Sequence, residues 1–371
     1  MAERRLRVLL LIDEMEVGGS QRQVAAIASG LDRRRFEAHV GYFRRSSHFV
    51  ELLRAEGIPV YAIPKRSPID LGFVWRLFRL LRSGQYDVVH CFSFTAELWT
   101  ALVLPFCRRA ALVTSIRGIY DWYAPWQWRV KRIISRRSRR VVANSKAAAR
   151  YSQVSGGLDG DSISVVYNGL AEGQAPGAGS AEVRASLGVL PEQILALFVG
   201  RVVADKGLNC LVQACTLLGG DSRRIAVRLV GDGPLRATLE GAIATAGLQE
   251  VIQFVGERRD VQNLLLAADV FVLPSLRESL SNALLEAMAA GVAVIASDAG
   301  GNPELVEDGA TGLLFVTGDA NELAVGLRRL IADPEYRRRL AASGQASARA
   351  SFGYQRMCEE MQRIYLAAAA A

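Results

Sequence analysis

Two carboxylates, Glu278 and Glu286, stand eight positions apart in the segment Pro274-Ser275-Leu276-Arg277-Glu278-Ser279-Leu280-Ser281-Asn282-Ala283-Leu284-Leu285-Glu286. The apolar run 270–273 just before it reads as a strand. The pattern from Ser281 onward reads as a helix, with Ser281 near its start and Gly291 ending it. Glu278 then sits on a loop at the strand's carboxyl end, and Glu286 about two turns further on, along the helix. The first amides of such a helix, from about Leu280 to Ala283, have no carbonyl one turn back and suit a phosphate. An ionised carboxylate beside them suits sugar hydroxyls, because its oxygens accept hydrogen bonds strongly. The plainer alternative is a capped helix carrying a solvated Glu.

A second loop, Val199-Gly200-Arg201-Val202-Val203-Ala204-Asp205-Lys206-Gly207, again follows an apolar run. Arg201 offers a planar fork and Lys206 a point charge, and together they can clamp a diphosphate. They would also neutralise a departing phosphate as its bond to a sugar breaks. The alternative is a solvated basic loop. With such cations available, no essential metal and no cofactor are expected. The chain has three histidines, His39, His48 and His90, and five cysteines with no Cys-x-x-Cys pair. That excludes a zinc site of the usual spacing and fits a reducing compartment. Asp159-Gly160-Asp161 is similar on its face to a metal-binding Asp-x-Asp, but its Gly-rich surroundings predict a solvated turn.

The elements that must position these loops alternate short β-branched runs with amphipathic stretches, the signature of parallel sheets with helical crossovers. Strands are expected at 7–12, 37–42, 60–63, 88–91, 112–116, 140–143 and 164–166, with helices such as 20–31 and 72–81 between them. The Gly/Pro/Ala-rich stretch 173–179 reads as a linker or surface loop. A second series follows, with strands at 195–199, 226–230, 252–255, 270–273, 292–296 and 312–315, and helices from about Glu322 to the end. The expected architecture is α/β, with two Rossmann-like doubly wound domains facing across a cleft. Residues 1–170 are expected to form the first domain and 171–350 the second, which carries both charged loops, while 351–371 are expected to form a helix packing back towards the first. Doubly wound sheets take ligands at the carboxyl ends of their strands, where the strand order reverses.

Length and composition agree with two globular cores: 371 residues, half of them apolar and 22% charged. The net charge of +8 is uneven. Residues 1–170 carry 27 Lys+Arg against 14 Asp+Glu, whereas 171–371 carry 18 against 23. The basic half should attract an anionic partner, such as a phosphorylated acceptor or anionic lipid. No run approaches the roughly 18 apolar residues of a membrane span, and the first apolar run is cut short by Asp13, Glu14 and Glu16. These features place the chain in the cytosol, at most peripheral on the inner face of the cytoplasmic membrane.

Taken together, the two loops resemble the large retaining glycosyltransferase family with the GT-B fold (group 1, family 4 type). The motif Glu278-x7-Glu286, the loop Gly200-Arg201…Lys206-Gly207, Val230-Gly231-Asp232-Gly233-Pro234, Phe254-Val255-Gly256 and Ala299-Gly300-Gly301-Asn302-Pro303-Glu304 all occur in the family's order over nearly the whole chain. The resemblance implies transfer of a sugar from a nucleoside-diphosphate-sugar to an acceptor hydroxyl with retention, in cell-surface polysaccharide or glycolipid synthesis. It implies that Arg201 and Lys206 hold the donor diphosphate and that Glu286 binds the ribose. Glu278 would contact the donor sugar, with the amides of Ser279, Leu280, Ser281 and Asn282 beside it. Gly200 and Gly231 line the donor, and Gly256-Glu257-Arg258 runs along the base. Gly18-Gly19 looks like the family's Gly-Gly loop, where backbone comes close to the donor, and Asn168-Gly169 like its interdomain turn. Arg201, Lys206 and Glu278 are the candidate catalytic groups. The acceptor would be a glycan or a lipid-linked sugar.

One departure stands out. Many relatives carry His-x-His after the fourth strand, whereas here the run is His90-Cys91-Phe92. His90 keeps the first position and Phe92 takes the second, so the usual polar partner of the sugar is missing or replaced. His90 and Arg117 remain candidates for acceptor or sugar contact. The departure keeps two alternatives open: a nucleotide-sugar-binding protein without transfer, and a nucleotide-sugar 2-epimerase of the same fold.

The segment 121–140 holds three of the five Trp, and seven of its last twelve residues are basic. Trp122, Trp126, Trp128, Arg129, Lys131 and Arg132 are the candidate membrane contacts, because rings sit at headgroup depth and cations meet anionic lipid. The alternative is a domain helix with buried Trp and snorkelling Arg. Nucleic acid is not expected, since no nucleic-acid motif accompanies these residues.

Overall fold

The computed structural model describes residues 4–16, 18–107, 110–170 and 180–370. The chain divides into two compact units, residues 1–171 with 352–371, and residues 172–351. In the first unit β1 (Leu6–Ile12), α1 (Gly19–Gly30), β2 (Phe36–Tyr42), α2 (His48–Ala55), β3 (Val60–Ala62), α3 (Leu71–Gly84), β4 (Val88–Cys91), α4 (Phe94–Val103), β5 (Ala111–Ile116), α5 (Pro125–Arg137), β6 (Arg140–Ala143), α6 (Lys146–Val154) and β7 (Ile163–Val165) follow in turn. The strands build a seven-stranded parallel sheet in the order β3-β2-β1-β4-β5-β6-β7.

β1 shows why. From Val8 on, every side chain of Leu-Arg-Val-Leu-Leu-Leu-Ile is buried. Val8, Leu10 and Ile12 pack on one face with Val24 and Ile27 of α1, while Leu9 and Leu11 pack on the other with Phe73, Leu77 and Leu81 of α3. Successive strand side chains alternate faces, so a strand apolar throughout needs helices on both sides. α3 supplies its share through a 3.6-residue period, and Asp70 caps it by accepting from the Phe73 amide at 2.8 Å.

The second unit runs α7 (Ser180–Ser186), β8 (Ile194–Val199), α8 (Leu208–Leu218), β9 (Ile225–Val230), α9 (Arg236–Thr245), β10 (Ile252–Gly256), α10 (Val261–Ala267), β11 (Val270–Leu273), α11 (Asn282–Ala289), β12 (Ala293–Ser297), α12 (Asn302–Leu305), β13 (Leu313–Phe315), α13 (Ala320–Ala332) and α14 (Pro334–Ser351). Its six-stranded parallel sheet has the order β10-β9-β8-β11-β12-β13. α15 (Tyr354–Ala370) belongs to the first unit. Its Met357, Met361 and Tyr365 share a core with Val8 and Val24, and the Tyr354 hydroxyl donates to the Ala26 carbonyl at 2.8 Å.

All thirteen strands lie within one residue of the positions read from the sequence. Both sheets are doubly wound, as expected. In each, the first strand is central and the fourth lies on its other side, so crossovers diverge between β1 and β4 and between β8 and β11. The expected linker 173–179 lies outside the described residues. Among the described residues no helix is long and apolar enough to cross a membrane, and all five cysteines are free thiols.

Candidate functional site

The divergence point of the second sheet assembles the loops that the sequence singled out. β8 and β11 are neighbours, so the loop 200–207 and the loop 274–281 leave the sheet side by side at its carboxyl edge, where such folds take ligands. Lys206, half-buried, forms an ion pair with Glu278 Oε1, and Glu278 is only 9% exposed. The Ser275 hydroxyl donates to the same oxygen at 2.8 Å. Beside this pair, Arg277 forms an ion pair with Asp205, and the Leu276 amide donates to the Asp205 carbonyl at 2.8 Å. Each loop thus hands the other one charged side chain of each sign.

Two glycines make the approach geometrically feasible. Gly207 has φ 62°, and a Cβ there would come 2.0 Å from the Pro274 carbonyl oxygen. Gly300 has φ 55°, and a Cβ there would come 1.7 Å from the Glu278 carbonyl oxygen. Both need a left-handed backbone and the absence of a side chain, so the loops after β8, β11 and β12 interlock around Glu278. Gly231 belongs to the same bracing, since its Cβ would fall 2.0 Å from the Gly200 carbonyl.

α11 begins at Asn282, and the Ser281 hydroxyl caps it by accepting from the Leu284 amide at 3.3 Å. Leu284, Leu285, Ala287 and Met288 face inward, leaving Glu286 half-buried between them and the surface. Ser279 and Leu280 are buried in the turn that leads into this helix. Arg201 is exposed, and its guanidinium makes no hydrogen bond or ion pair among the described residues. Arg258, after β10, is held by Asp260 through two bonds of 2.8 and 2.6 Å.

The first unit places its candidates at the carboxyl edge of its own sheet, with one correction. His90 is fully buried: its Nδ1 faces the Tyr365 hydroxyl and its Nε2 the Ser115 hydroxyl, both at 2.8 Å. Burial, and then the Arg117 charge, hold its pKa well below the ordinary value, so the ring is neutral. With both ring nitrogens engaged inside the core, His90 has none turned towards a sugar, contrary to the direct contact expected of it. Phe92 is buried too, stacked on His90 with centroids 4.1 Å apart. Arg117 extends from the end of β5 and lies over the Phe92 ring at 5.8 Å. Its Nη2 donates to Asn168 Oδ1 at 2.9 Å, while its buried Nε has no hydrogen-bond partner. Burial brings its pKa down to about 10, still charged at neutral pH. Asn168 is buried, and the next residue, Gly169, exchanges bonds with Gln23 of α1 at 3.3 and 3.4 Å. Gly18 caps α1 with extended backbone, and Gly19 opens that helix.

The basic aromatic segment splits in two. Trp128 is buried, and Lys131 is buried in a pair with Glu97, donating at 2.5 and 2.6 Å to its two oxygens and at 3.0 Å to the Ser115 carbonyl. Arg132 is spent on the Gly156 carbonyl at 3.0 and 2.9 Å. Helical periodicity turns Trp128 and Lys131 inward, away from any surface, and leaves Arg132 half-buried. Trp122, Trp126 and Arg129 stay exposed.

Sequence reasoning missed several participants. Ser275 and Asp205 sit beside named residues and were readable as loop neighbours. Glu97 gave no signal, because nothing in a helix pattern marks one Glu as fully buried. Nor did the aromatic cluster at the ends of β4 and β5, in which Tyr120 and Tyr123 stack at 4.5 Å and Phe94 meets Trp126 edge-on at 6.0 Å. Asp159 and Asp161 form a capped turn, in which the Asp161 amide donates to Asp159 at 3.1 Å.

Residues 180–347 match the family model for glycosyl transferases group 1, and residues 17–172 that for glycosyltransferase family 4. The chain is 34% identical over 223 residues to the alpha-maltose-1-phosphate synthase of Mycobacterium tuberculosis, covering 56% of this chain and 57% of that one. It is 30% identical over 187 residues to the alpha-D-kanosaminyltransferase of Streptomyces kanamyceticus, covering 50% and 48%. The chain thus spans about half the length of these curated relatives. Among solved structures, Anabaena HepE in complex with UDP-glucose superposes with a TM-score of 0.85 at 25% identity, covering 97% of this chain and 99% of that one. With its two doubly wound parallel sheets, the chain belongs to the group 1 glycosyltransferases of GT-B fold.

Proposed function

We propose that this protein is a retaining glycosyltransferase that moves a sugar from a nucleoside-diphosphate-sugar to an acceptor hydroxyl, in the synthesis of a cell-surface polysaccharide or glycolipid. The observation that carries the reading is the Lys206–Glu278 pair at the divergence point of the second sheet, backed by Ser275 and fixed by Gly207 and Gly300. Glu278 holds the ammonium of Lys206 in place. An arriving diphosphate, carrying more charge than one carboxylate, draws Lys206 to itself, with Arg201 as the second cation. The Glu278 carboxylate is then released to accept hydrogen bonds from donor-sugar hydroxyls. Glu286 takes the ribose hydroxyls from α11, and the first turn of that helix favours the phosphate.

As the anomeric C–O bond breaks, its electron pair goes to the departing phosphate oxygen, and Arg201 and Lys206 stabilise that charge. The same oxygen takes the proton of the incoming hydroxyl, whose oxygen forms the new bond on the face just vacated. No opposed pair of enzyme carboxylates of the glycosidase kind is needed. HepE, crystallised with UDP-glucose, supports a uridine nucleotide as the first donor to try. The acceptor is a glycan or lipid-linked sugar met at the inner face of the cytoplasmic membrane, with Trp122, Trp126 and Arg129 on the lipid side.

A panel of uridine, guanosine and adenosine diphosphate sugars, read as a rise in unfolding temperature, identifies the donor, since a ligand bound by the folded state stabilises it. Lys206→Ala and Glu286→Ala should each lose the shift or lose transfer by about a hundredfold. Full activity in both variants would falsify the assignment. The buried Phe92 favours one competing reading, donor binding without transfer. Slow release of nucleoside diphosphate from the bound donor supports the transferase, and its absence supports the competitor.

A further inference from the structure

On the outer side of the first unit, α3 and α4 leave an apolar groove of about 490 Å³, lined by Leu71, Trp75 and Phe78 of α3, Trp99 and Leu102 of α4, and Phe106 just beyond. Leu71 is 79% exposed, Trp75 59% and Phe106 73%. Ile69, immediately before α3, is also exposed. The cause lies in the helix pattern. Phe73, Leu77 and Leu81 already fill the inward stripe of α3. Leu71, Trp75, Arg79 and Arg82 recur at spacings of four, four and three on the outward side, and all four are exposed. Large apolar side chains gathered in one open patch mark a contact surface.

The charge around the groove is one-sided. Residues 65–84 hold Lys65, Arg66, Arg76, Arg79 and Arg82 against Asp70 alone, and Asp70 is engaged as the cap of α3. Arg79 lies 5.5 Å from the Trp75 ring centre and Arg82 5.8 Å from that of Phe78, so cations and rings stand at one level. A second hollow of about 340 Å³ adjoins, lined by Arg82, Ser83, Gln85, Phe106 and Cys107. Phe106 is common to both, so the apolar groove continues into a polar, cationic end.

We propose that this face docks on an anionic lipid bilayer, with α3 along the interface, an acyl chain against the groove, and a lipid phosphate at Arg82. Apolar and Trp side chains beside exposed Arg match the acyl boundary and the headgroup layer in turn. A second copy of this chain fits poorly, because it would set one cationic face against another. α4 packs against both α3 and α5, so the exposed Trp126 and Ile133 of α5 continue the same helical layer. The inference rests on the membrane contact in the function proposed above and moves its main site from α5 to α3. It does not depend on the donor chemistry.

The test is flotation of the full chain with phosphatidylcholine vesicles, with and without phosphatidylglycerol. Wild type should float with the anionic vesicles and much less with the neutral ones. Leu71→Ser with Trp75→Ser should cut the bound fraction by about tenfold or more, and Arg79→Ser with Arg82→Ser should remove the preference for phosphatidylglycerol. Both pairs are exposed, so circular dichroism and donor-induced thermal shift should match wild type. Trp122→Ser with Trp126→Ser is the comparator. If it abolishes flotation while the α3 variants float like wild type, α3 is not the contact, although the membrane reading stands. If wild type never floats with anionic vesicles, both fail. If wild type is a dimer that the Leu71/Trp75 variant dissociates, the occupant is a second copy and the lipid proposal is overturned.

Discussion

Replacing Lys131 by Met isolates a charge deep in the first unit and tests whether its architecture is as described. Glu97 is fully buried and Lys131 is 2% exposed, with both carboxylate oxygens on one ammonium. Burial raises the Glu97 pKa despite the pull of Lys131. Without the ammonium, that carboxylate has two options: remain charged in the core, or take up a proton as the chain folds. The second sets the ceiling. Protonating a carboxyl of unfolded pKa ~4.3 at pH 7 costs roughly 3.7 kcal/mol, at ~1.4 kcal/mol per pH unit. That lies within the ~3–5 kcal/mol expected on breaking a buried pair.

The pH dependence follows with a definite sign. A folded-state pKa above the unfolded one means that folding binds a proton, so the stability is present at low pH and lost as pH rises. The deficit of Lys131→Met against wild type should therefore shrink by ~1.4 kcal/mol per pH unit from pH 7 towards 5. All five tryptophans, Trp75, Trp99, Trp122, Trp126 and Trp128, lie in the first unit, so Trp fluorescence in urea reports this unit's unfolding. Glu97→Leu combined with Lys131→Met should recover most of the loss and flatten the pH dependence, because a hydrophobic replacement of a buried pair is often neutral. A single variant within ~0.5 kcal/mol of wild type, with no pH trend, would refute the burial of the pair.

Two further outcomes bear on the site. Gly300→Ala places a side chain at φ 55° against the Glu278 carbonyl. The left-handed backbone alone costs ~1–2 kcal/mol, and relief requires the Glu278 loop to move. Transfer should fall by about tenfold or more, while Gly241→Ala, in open space on α9, should leave it unchanged in the same assay. Arg117→Lys keeps a cation but loses the planar fork that reaches both Phe92 and Asn168. It should raise the acceptor KM several-fold with little change in donor binding by thermal shift, and an unchanged KM would remove Arg117 from the acceptor side.

The strands were legible because both sheets are buried on two faces. A strand such as Leu195-Ala196-Leu197-Phe198 is apolar at every position, and glycine or polar residues cut it off sharply, as Gly200 does here. The loops after β8 and β12 were legible for a related reason: Gly207 and Gly300 mark close backbone approaches to the loop after β11, and such positions leave a sequence trace. Long-range pairings left none. That Lys206 reaches Glu278 rather than Asp205, one residue away, depends on β8 lying beside β11, a fact of topology. The α5 segment was legible only in part, for a third reason. Composition counted its Trp and cations together, whereas helical phase sends Trp128 and Lys131 inward and leaves Trp126 and Arg129 outside.

Phe92 illustrates how a departure from a family pattern can be absorbed by a neighbouring strand. Read as sequence, Phe92 stands where the family resemblance leads one to expect a second histidine, so a polar group looks lost. In the fold, the phenyl ring becomes a buried platform between the neutral His90 and the Arg117 guanidinium. β4 and β5 are adjacent, so the cation that extends past Ile116 comes to the same edge of the sheet that Phe92 would have served. Arg117 is charged, lies over the ring and keeps one Nε–H without a partner. A buried donor in that state has a free-energy incentive to meet an acceptor atom, which is what the acceptor KM of Arg117→Lys probes. A histidine in place of Phe92 would lose that platform and set a second titratable ring against a permanent cation. The Phe92 ring and the Arg117 guanidinium therefore act as one unit at the ends of β4 and β5, and a change at either position is expected to disturb the other.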